Sequence, residues 1–263
     1  MAGVKPQASI TLYRGWTGSG YYVWSPFVTK LEARLRFGGL SYKCDGGSPM
    51  KAPRGKIPYV AIENEKSSAP TLLCDTTLIT DRLAEEGMLG DLNAKLSPTE
   101  KAQDLAFTAL LEDKLYFYQL YERWQENYYT MRPGVLQALP YPMQLIVGLI
   151  AYRKVMQTLH GQGTSRFTPE EIDVFRRKVW ENVNALLVTS KAKAKAGDAS
   201  TFWALGGTGP SEFDATLFGF IASALVCPAG PESQKVIRSF PVVVEYAKRI
   251  HDRYFPDYEL WKE

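Results

Sequence analysis

The chain has 263 residues, 45% of them hydrophobic and 22% charged, a composition that excludes disordered and fibrous classes and a length that suits one large domain or two of modest size. A net charge of +3 and a pI near 8.6 are too mild to imply a nucleic-acid partner, and acids are interspersed with the bases except around Lys191, Lys193 and Lys195. Cys44, Cys74 and Cys227 are widely separated and odd in number, with no metal or redox spacing, and His160 and His251 show none either, so no metal is expected and a reducing compartment fits best.

The opening MAGVKPQAS lacks the apolar core of a signal peptide, and the most apolar stretch, Leu145 to Ala151, falls short of the roughly 20 residues a bilayer span needs. The expectation is a cytoplasmic protein without a transmembrane segment. Ile10 to Tyr13 reads as a first strand, followed by a loop marked by Gly15, Gly18 and Gly20. Ser25 then stands at a helix N-cap and Pro26 at the first helical position, where a missing N–H costs nothing. The helix runs to Gly38-Gly39, with Phe27, Val28, Leu31 and Leu35 on one face and Lys30, Glu32, Arg34 and Arg36 on the other. A hydroxyl at position 25 faces the unpaired N–H groups and the positive end of the helix dipole, where an anion or thiolate is stabilised. It can cap, and it can also catalyse.

A second strand, Leu40 to Cys44, follows the helix and implies a parallel pair with the first. After an irregular Gly- and Pro-rich stretch, Lys56-Ile57-Pro58-Tyr59-Val60 begins a third strand, and the polar turn Asn64 to Pro70 leads into a fourth, Thr71 to Cys74, as an antiparallel hairpin. Asp75 caps a helix to about Glu86. The order predicts a four-stranded mixed sheet packed against helices.

From Ser97 onward the periodicity is helical. Ser97-Pro98-Thr99-Glu100 is a capping box that starts a long helix to about Asn127, and Thr168-Pro169-Glu170-Glu171 repeats the device for a helix to about Leu187. Between them Pro133, Pro140 and Pro142 bracket a loop before a helix from about Met143 to Leu159, and Lys191 to Ser200 reads as a solvated link. Ser211-Glu212-Phe213-Asp214 opens Ala215 to Val226, a helix apolar nearly all round that belongs at a domain centre. Lys235 to Arg238 and Pro241 to Tyr254 read as outer helices. A boundary near residues 88 to 97 divides the chain into an α/β domain over 1–92 and an all-helical domain over 93–263.

Ser25-Pro26-Phe27 with Lys30-Leu31-Glu32, then Gly55-Lys56-Ile57-Pro58, Asp75-Thr76, Asp214-Ala215-Thr216-Leu217-Phe218-Gly219 and Tyr254-Phe255-Pro256-Asp257-Tyr258, occur in an order that resembles the glutathione transferase superfamily, in particular the branch holding the failed-axon-connections proteins and the metaxins. The resemblance implies a thioredoxin-like, glutathione-binding first domain and an all-helical second one. It implies an enzyme in which Ser25 activates the glutathione thiol for attack on a small hydrophobic electrophile, a reaction of the detoxification type. Ile57, before a cis Pro58, would pair with the cysteinyl backbone, Asp75 and Thr76 would hold the γ-glutamyl amine and carboxylate, and Lys56 is a candidate for the glycyl carboxylate. Tyr116, Phe117, Tyr121, Trp124 and Tyr128 would supply an aromatic wall for the electrophile.

The same resemblance permits a non-enzymatic interaction module of the metaxin kind, or a carrier of an apolar ligand, and a homodimer is open to it. The loop from Gly15 to Trp24 is longer than is usual in the superfamily, and Thr76 stands where many relatives carry serine. Ser25 as a plain N-cap, and Asp75 and Thr76 as plain helix-capping residues, are the structural alternatives.

Overall fold

The computed structural model describes residues 9–63, 69–194 and 202–262. Most of the expected polar turn after the third strand and the end of the Lys191 to Ser200 link lie outside them. Strand β1 (Ser9–Tyr13) buries Ile10 and Leu12 in the alternation of a strand with one face on a core. Parallel to it runs β2 (Lys43–Asp45), and antiparallel to it β3 (Tyr59–Glu63), which pairs in turn with β4 (Thr71–Cys74). The sheet order is β2-β1-β3-β4, the mixed sheet expected. The paired part of β2 starts later than the hydrophobic pattern implied, at Lys43 rather than Leu40.

Helix α1 (Pro26–Phe37) packs Leu31 and Leu35 with Ile10, Leu12, Val60 and Ile62 under the sheet, together with Ile79 and Leu83 of α2 (Thr76–Glu85). The amphipathic reading of α1 is corrected here. Lys30, Glu32 and Arg34 were expected to face solvent, and all three are buried. They lie along the seam with the helical half and each has an ionic partner: Lys30 Nζ to Glu112 at 2.6 Å, Arg14 Nε to Glu32 at 3.0 Å, and Arg34 Nε to Glu212 at 2.5 Å. Periodicity registers charge but cannot register a distant acid that neutralises it. Arg36, partly exposed, pairs with Asp257 at 2.5 Å and stacks on Phe255.

The helical half begins at α3 (Pro98–Leu110) and continues without a break through a π-helical turn (Leu111–Leu115), α4 (Tyr116–Tyr121) and a second π-helical turn (Glu122–Glu126). A short α5 (Tyr128–Val135) follows and contains Pro133, one of the three prolines expected to bracket a loop. Pro133 is tolerated close to the end of the helix, where few turns depend on its missing N–H. Helix α6 (Tyr141–Gln162) begins two residues before the expected Met143, and α7 (Pro169–Lys193) outruns the expected Leu187. All three capping boxes form with both reciprocal bonds, at Ser97 and Glu100, Thr168 and Glu171, and Ser211 and Asp214.

Helix α8 (Glu212–Leu225) is buried along nearly its whole length, because α1 covers one side and α3, α9 (Pro231–Arg238) and α10 (Pro241–Tyr254) cover others. Gly219 makes the α1 contact possible. A Cβ there would lie 2.5 Å from the Pro26 carbonyl oxygen and 2.7 Å from the Lys30 nitrogen, so the two backbones touch. Among the described residues no helix is long and apolar enough to cross a membrane.

Candidate active site

Tyr13 of β1 lies opposite Tyr59 of β3, and Tyr59 lies opposite Cys74 of β4. The chain therefore leaves β1, enters β3 and leaves β4 at one end of the sheet. The segments just beyond that end carry the residues singled out by the sequence: the loop to Ser25, the Ile57-Pro58 pair, and Asp75-Thr76. The Ile57-Pro58 peptide is cis. Gly15 has φ +82°, and a Cβ on it would stand 3.1 Å from Ile57 Cδ1, so the exit from β1 runs directly against Ile57.

The long loop after β1 is pinned from both sides. Arg14, fully buried, donates to the Gly18 carbonyl at 2.9 Å and to the Tyr21 carbonyl at 2.5 Å while its Nε faces Glu32. Burial pushes the Glu32 carboxyl up and the Arg14 charge opposes it, while the Tyr258 hydroxyl donates to Glu32 at 2.7 Å. The chain after α10 folds back over the loop: the Glu259 amide donates to the Gly20 carbonyl at 2.7 Å, and Tyr22 packs against Phe255, Tyr258 and Trp261. The Tyr22 hydroxyl and His251 Nδ1 are 2.7 Å apart. Burial raises the Tyr22 phenol far above its ordinary range and lowers the His251 imidazole, so Tyr22 donates and a neutral His251 accepts.

The loop delivers Ser25 to the start of α1 in an extended conformation, φ −87° and ψ 118°, the backbone of an N-cap. Its carbonyl accepts the first helical bond, from Thr29 N at 3.4 Å. Its side chain does not cap. Among the described residues the Ser25 hydroxyl makes no hydrogen bond, and it is half-buried. It is thus an uncommitted donor at the positive end of a helix whose first position is a proline.

Ser25 lines a cavity of about 110 Å³ together with Trp16, Trp24, Pro26, Tyr116, Leu120, Arg123, Trp124 and Met131. Trp16 and Trp24 come from the loop, with ring centroids 6.1 Å apart, and the others beyond Pro26 come from α4, the second π-helical turn and α5. Gly134 of α5 admits Trp24: a Cβ there would fall 1.8 Å from the indole ring. Arg123 is buried and donates to the Trp24 carbonyl at 2.7 Å, tying the loop to the helical half. Burial pushes the Tyr116 phenol up, with the Arg123 charge pulling it partway back, so Tyr116 is a neutral donor at neutral pH.

The cavity brings together Ser25, Tyr116 and Trp124 from the sequence-derived set. It does not include Tyr121, which is half-buried on another side of the helix, nor Phe117 and Tyr128, which pack on Tyr116 and Trp124. Ile57, Pro58, Asp75, Thr76 and Lys56 also lie outside its lining, at the end of the sheet. Asp75 caps α2: one carboxylate oxygen accepts from Thr77 N at 3.2 Å and Leu78 N at 3.3 Å, leaving the other oxygen uncommitted on an exposed residue with φ +77°. Thr76 is buried and Lys56 exposed. Sequence reasoning missed Trp16, Trp24, Arg123 and Met131. Arg123 carried a signal, because it stands seven residues after Tyr116 and so repeats its helix face.

Residues 26–131 match a family model of the glutathione S-transferase N-terminal domain. Over 239 residues, 88% of this chain and 92% of the relative, the chain is 28% identical to an isoprene-epoxide–glutathione S-transferase of Rhodococcus sp. (strain AD45). It is also 25% identical to Metaxin-1 of Homo sapiens over 80% of this chain, spanning 43% of that protein. Among solved structures, glutathione transferase GSTFuA2 from Phanerochaete chrysosporium aligns with a TM-score of 0.58 at 16% identity, over 94% of this chain and 98% of that one.

Proposed function

We propose that this chain, which resembles the glutathione transferase superfamily and has metaxin-like relatives, is an enzyme joining the glutathione thiol to a small hydrophobic electrophile, with Ser25 as the activating residue. One observation carries the reading: Ser25 stands at an N-cap position without its side chain capping, and it lines an aromatic-walled cavity. A thiol of pKa about 8.5 is mostly protonated at neutral pH. Lowering it by about two units takes about 2.7 kcal/mol of preference for the thiolate. A hydrogen bond to a charge supplies about 1.5 to 3 kcal/mol, and a helix N-terminus about 0.3 to 1 more. Ser25 with α1 meets that requirement, and Arg123 adds positive charge to the same cavity.

In this reading residues 1–92 hold glutathione and residues 93–263 wall the co-substrate. The Ile57 backbone pairs with the cysteinyl moiety, the free oxygen of Asp75 meets the γ-glutamyl amine, the Thr76 hydroxyl meets its carboxylate, and Lys56 reaches the glycyl carboxylate. Tyr116 and Trp124 flank the electrophile. The name of the Rhodococcus relative supports an epoxide as the kind of electrophile. A cytoplasmic setting and a homodimer accompany the proposal. Retention on immobilised glutathione, followed by conjugation assays with small epoxides, tests it. Absence of binding at millimolar glutathione in folded protein refutes it.

A second reading, a non-enzymatic interaction module, is supported by the outer face of α6, where Met143 is 49% exposed, Ile146 65% and Ile150 61%. Folded protein that ignores glutathione yet binds another protein through α6 would favour it.

A further inference from the structure

Helix α6 has a covered side and an uncovered one. Its core side carries Gly148, where a Cβ would stand 2.6 Å from Arg132 Cδ and 3.0 Å from the Tyr128 hydroxyl, so α5 lies directly against it. Ala151, Tyr152, Val155 and Met156 continue that side into the cluster around Trp124 and Met131. The outer side bears Met143, Ile146, Leu149 and Ile150, spaced three and four apart and so stacked along one face, each between 47% and 65% exposed. Four residues after Leu149 and Ile150 the same face carries Arg153 and Lys154, both exposed. No charged residue occurs from position 133 to 152, although 22% of the chain is charged, and α6 has no acid anywhere along its 22 residues. Elsewhere an exposed aliphatic side chain stands among charges, as Val174 of α7 does beside Asp173, Arg177 and Lys178. A helix that is apolar on both sides is ordinarily covered on both, so the outer face of α6 marks a contact surface.

We propose that this face docks on an anionic lipid surface, with Met143, Ile146, Leu149 and Ile150 among the upper acyl segments of one leaflet and Arg153 and Lys154 at the headgroup phosphates and carboxylates. The order of residues along the face decides between lipid and a second copy of the chain. A two-fold contact places the same patch on both partners. With the two copies of α6 antiparallel, Arg153 and Lys154 of each meet the uncharged start of the other's α6, at the positive end of its dipole; with the two parallel, they meet their own copies. Neither arrangement supplies an acid. The exposed aliphatic area, on the order of 400 Å², is also about half of the ~800 Å² that each partner buries in a stable dimer. A lipid leaflet matches both parts of the face, because it sets an apolar layer beside an anionic one. Among the described residues no helix is long and apolar enough to cross a membrane, so α6 rests in the leaflet surface with its core side still packed on α5. The Ser25 cavity takes no part, and the inference is independent of the conjugation reading.

Vesicle flotation in the absence of glutathione tests the assignment. Wild-type protein should rise with vesicles of mixed phosphatidylcholine and phosphatidylserine, and should bind vesicles of phosphatidylcholine alone about 30-fold more weakly, from about fivefold for each of the two bases. Salt at about 1 M, which screens charges beyond about 3 Å, should remove most of that difference. Replacing Arg153 and Lys154 together by glutamine should weaken binding to the mixed vesicles by the same factor of about 30. Ile146→Gln combined with Ile150→Gln should abolish binding to both kinds of vesicle. All four positions are exposed, so the variants should keep the wild-type Tm. Folded wild-type protein that fails to float with the mixed vesicles overturns the proposal, and so does flotation that survives Ile146→Gln with Ile150→Gln. Sedimentation equilibrium supplies a further outcome: a dimer that those two substitutions dissolve shows that a second copy covers the face, and it overturns lipid docking as well.

Discussion

Replacing Ser25 by alanine separates the two roles open to that residue, because the structure assigns them different magnitudes. Were the hydroxyl capping α1, its loss would cost about 1 kcal/mol, which for a chain of this size lowers Tm by about 2–4 °C. The hydroxyl makes no capping bond, so Ser25→Ala should leave Tm within about 1 °C of wild type. If the hydroxyl instead donates to the glutathione thiolate, the variant loses about 1.5 to 3 kcal/mol of preference for the charged form. At about 1.36 kcal/mol per unit, the thiol pKa rises by about one to two units. Starting from a value near 6.5, the thiolate fraction at pH 7 drops from about three quarters to between about a quarter and a thirtieth. The assay is the ultraviolet absorbance of the thiolate against pH at saturating glutathione, paired with thermal unfolding of both proteins. A thiolate midpoint that stays in place while Tm falls by several degrees would refute the reasoning and make Ser25 a cap.

Gly219→Ala should destabilise the protein by up to about 2 kcal/mol, since the new methyl meets the backbone of Pro26 and Lys30 and overpacking of about 1–3 kcal/mol is offset by a helix-propensity gain of only about 1; chemical denaturation measures it. Gly134→Ala should displace Trp24, shift its fluorescence and raise KM for the electrophile more than for glutathione, a split visible in steady-state kinetics. Burial holds the His251 imidazole below its ordinary value of about 6.5, helped by the Lys248 charge and opposed by Asp252 and Asp257, so its contribution is present above that value and is lost as pH falls through the folded one. Thermal stability should therefore decline as pH falls below about 6.5, and His251→Gln should flatten that slope.

Much of this protein follows from local chemistry. The three capping boxes, the Ser25-Pro26 helix start, the Thr71–Cys74 strand and the Asp75 cap were legible because each depends on residues a few positions apart, and all of them form. The pattern of Ser25, Ile57-Pro58 and Asp75-Thr76 resembled one family, and strand registration places their segments at one end of the sheet. Pro133 misled because proline marks a helix end only as a tendency, and α5 tolerates it close to its own terminus.

Tertiary structure alone decided the rest. Lys30, Glu32 and Arg34 read as the polar face of α1, yet they are buried: Glu112 and Glu212 of the helical half neutralise Lys30 and Arg34 across the seam, and Arg14, at the end of β1, pairs with Glu32. Of the five aromatic residues grouped as one wall, Tyr116 and Trp124 reach the cavity, since helix phase through two π-helical turns sets which side chains point where. Trp16 and Trp24 join them only through the course of the loop held by Arg14, Gly20 and the chain after α10. Sequence by itself determined where the capped helices begin and which hydroxyl stands at the head of α1. Whether that residue is spent on its own helix or left lining a cavity beside Arg123 depended on contacts between residues about a hundred positions apart, which no local pattern encodes.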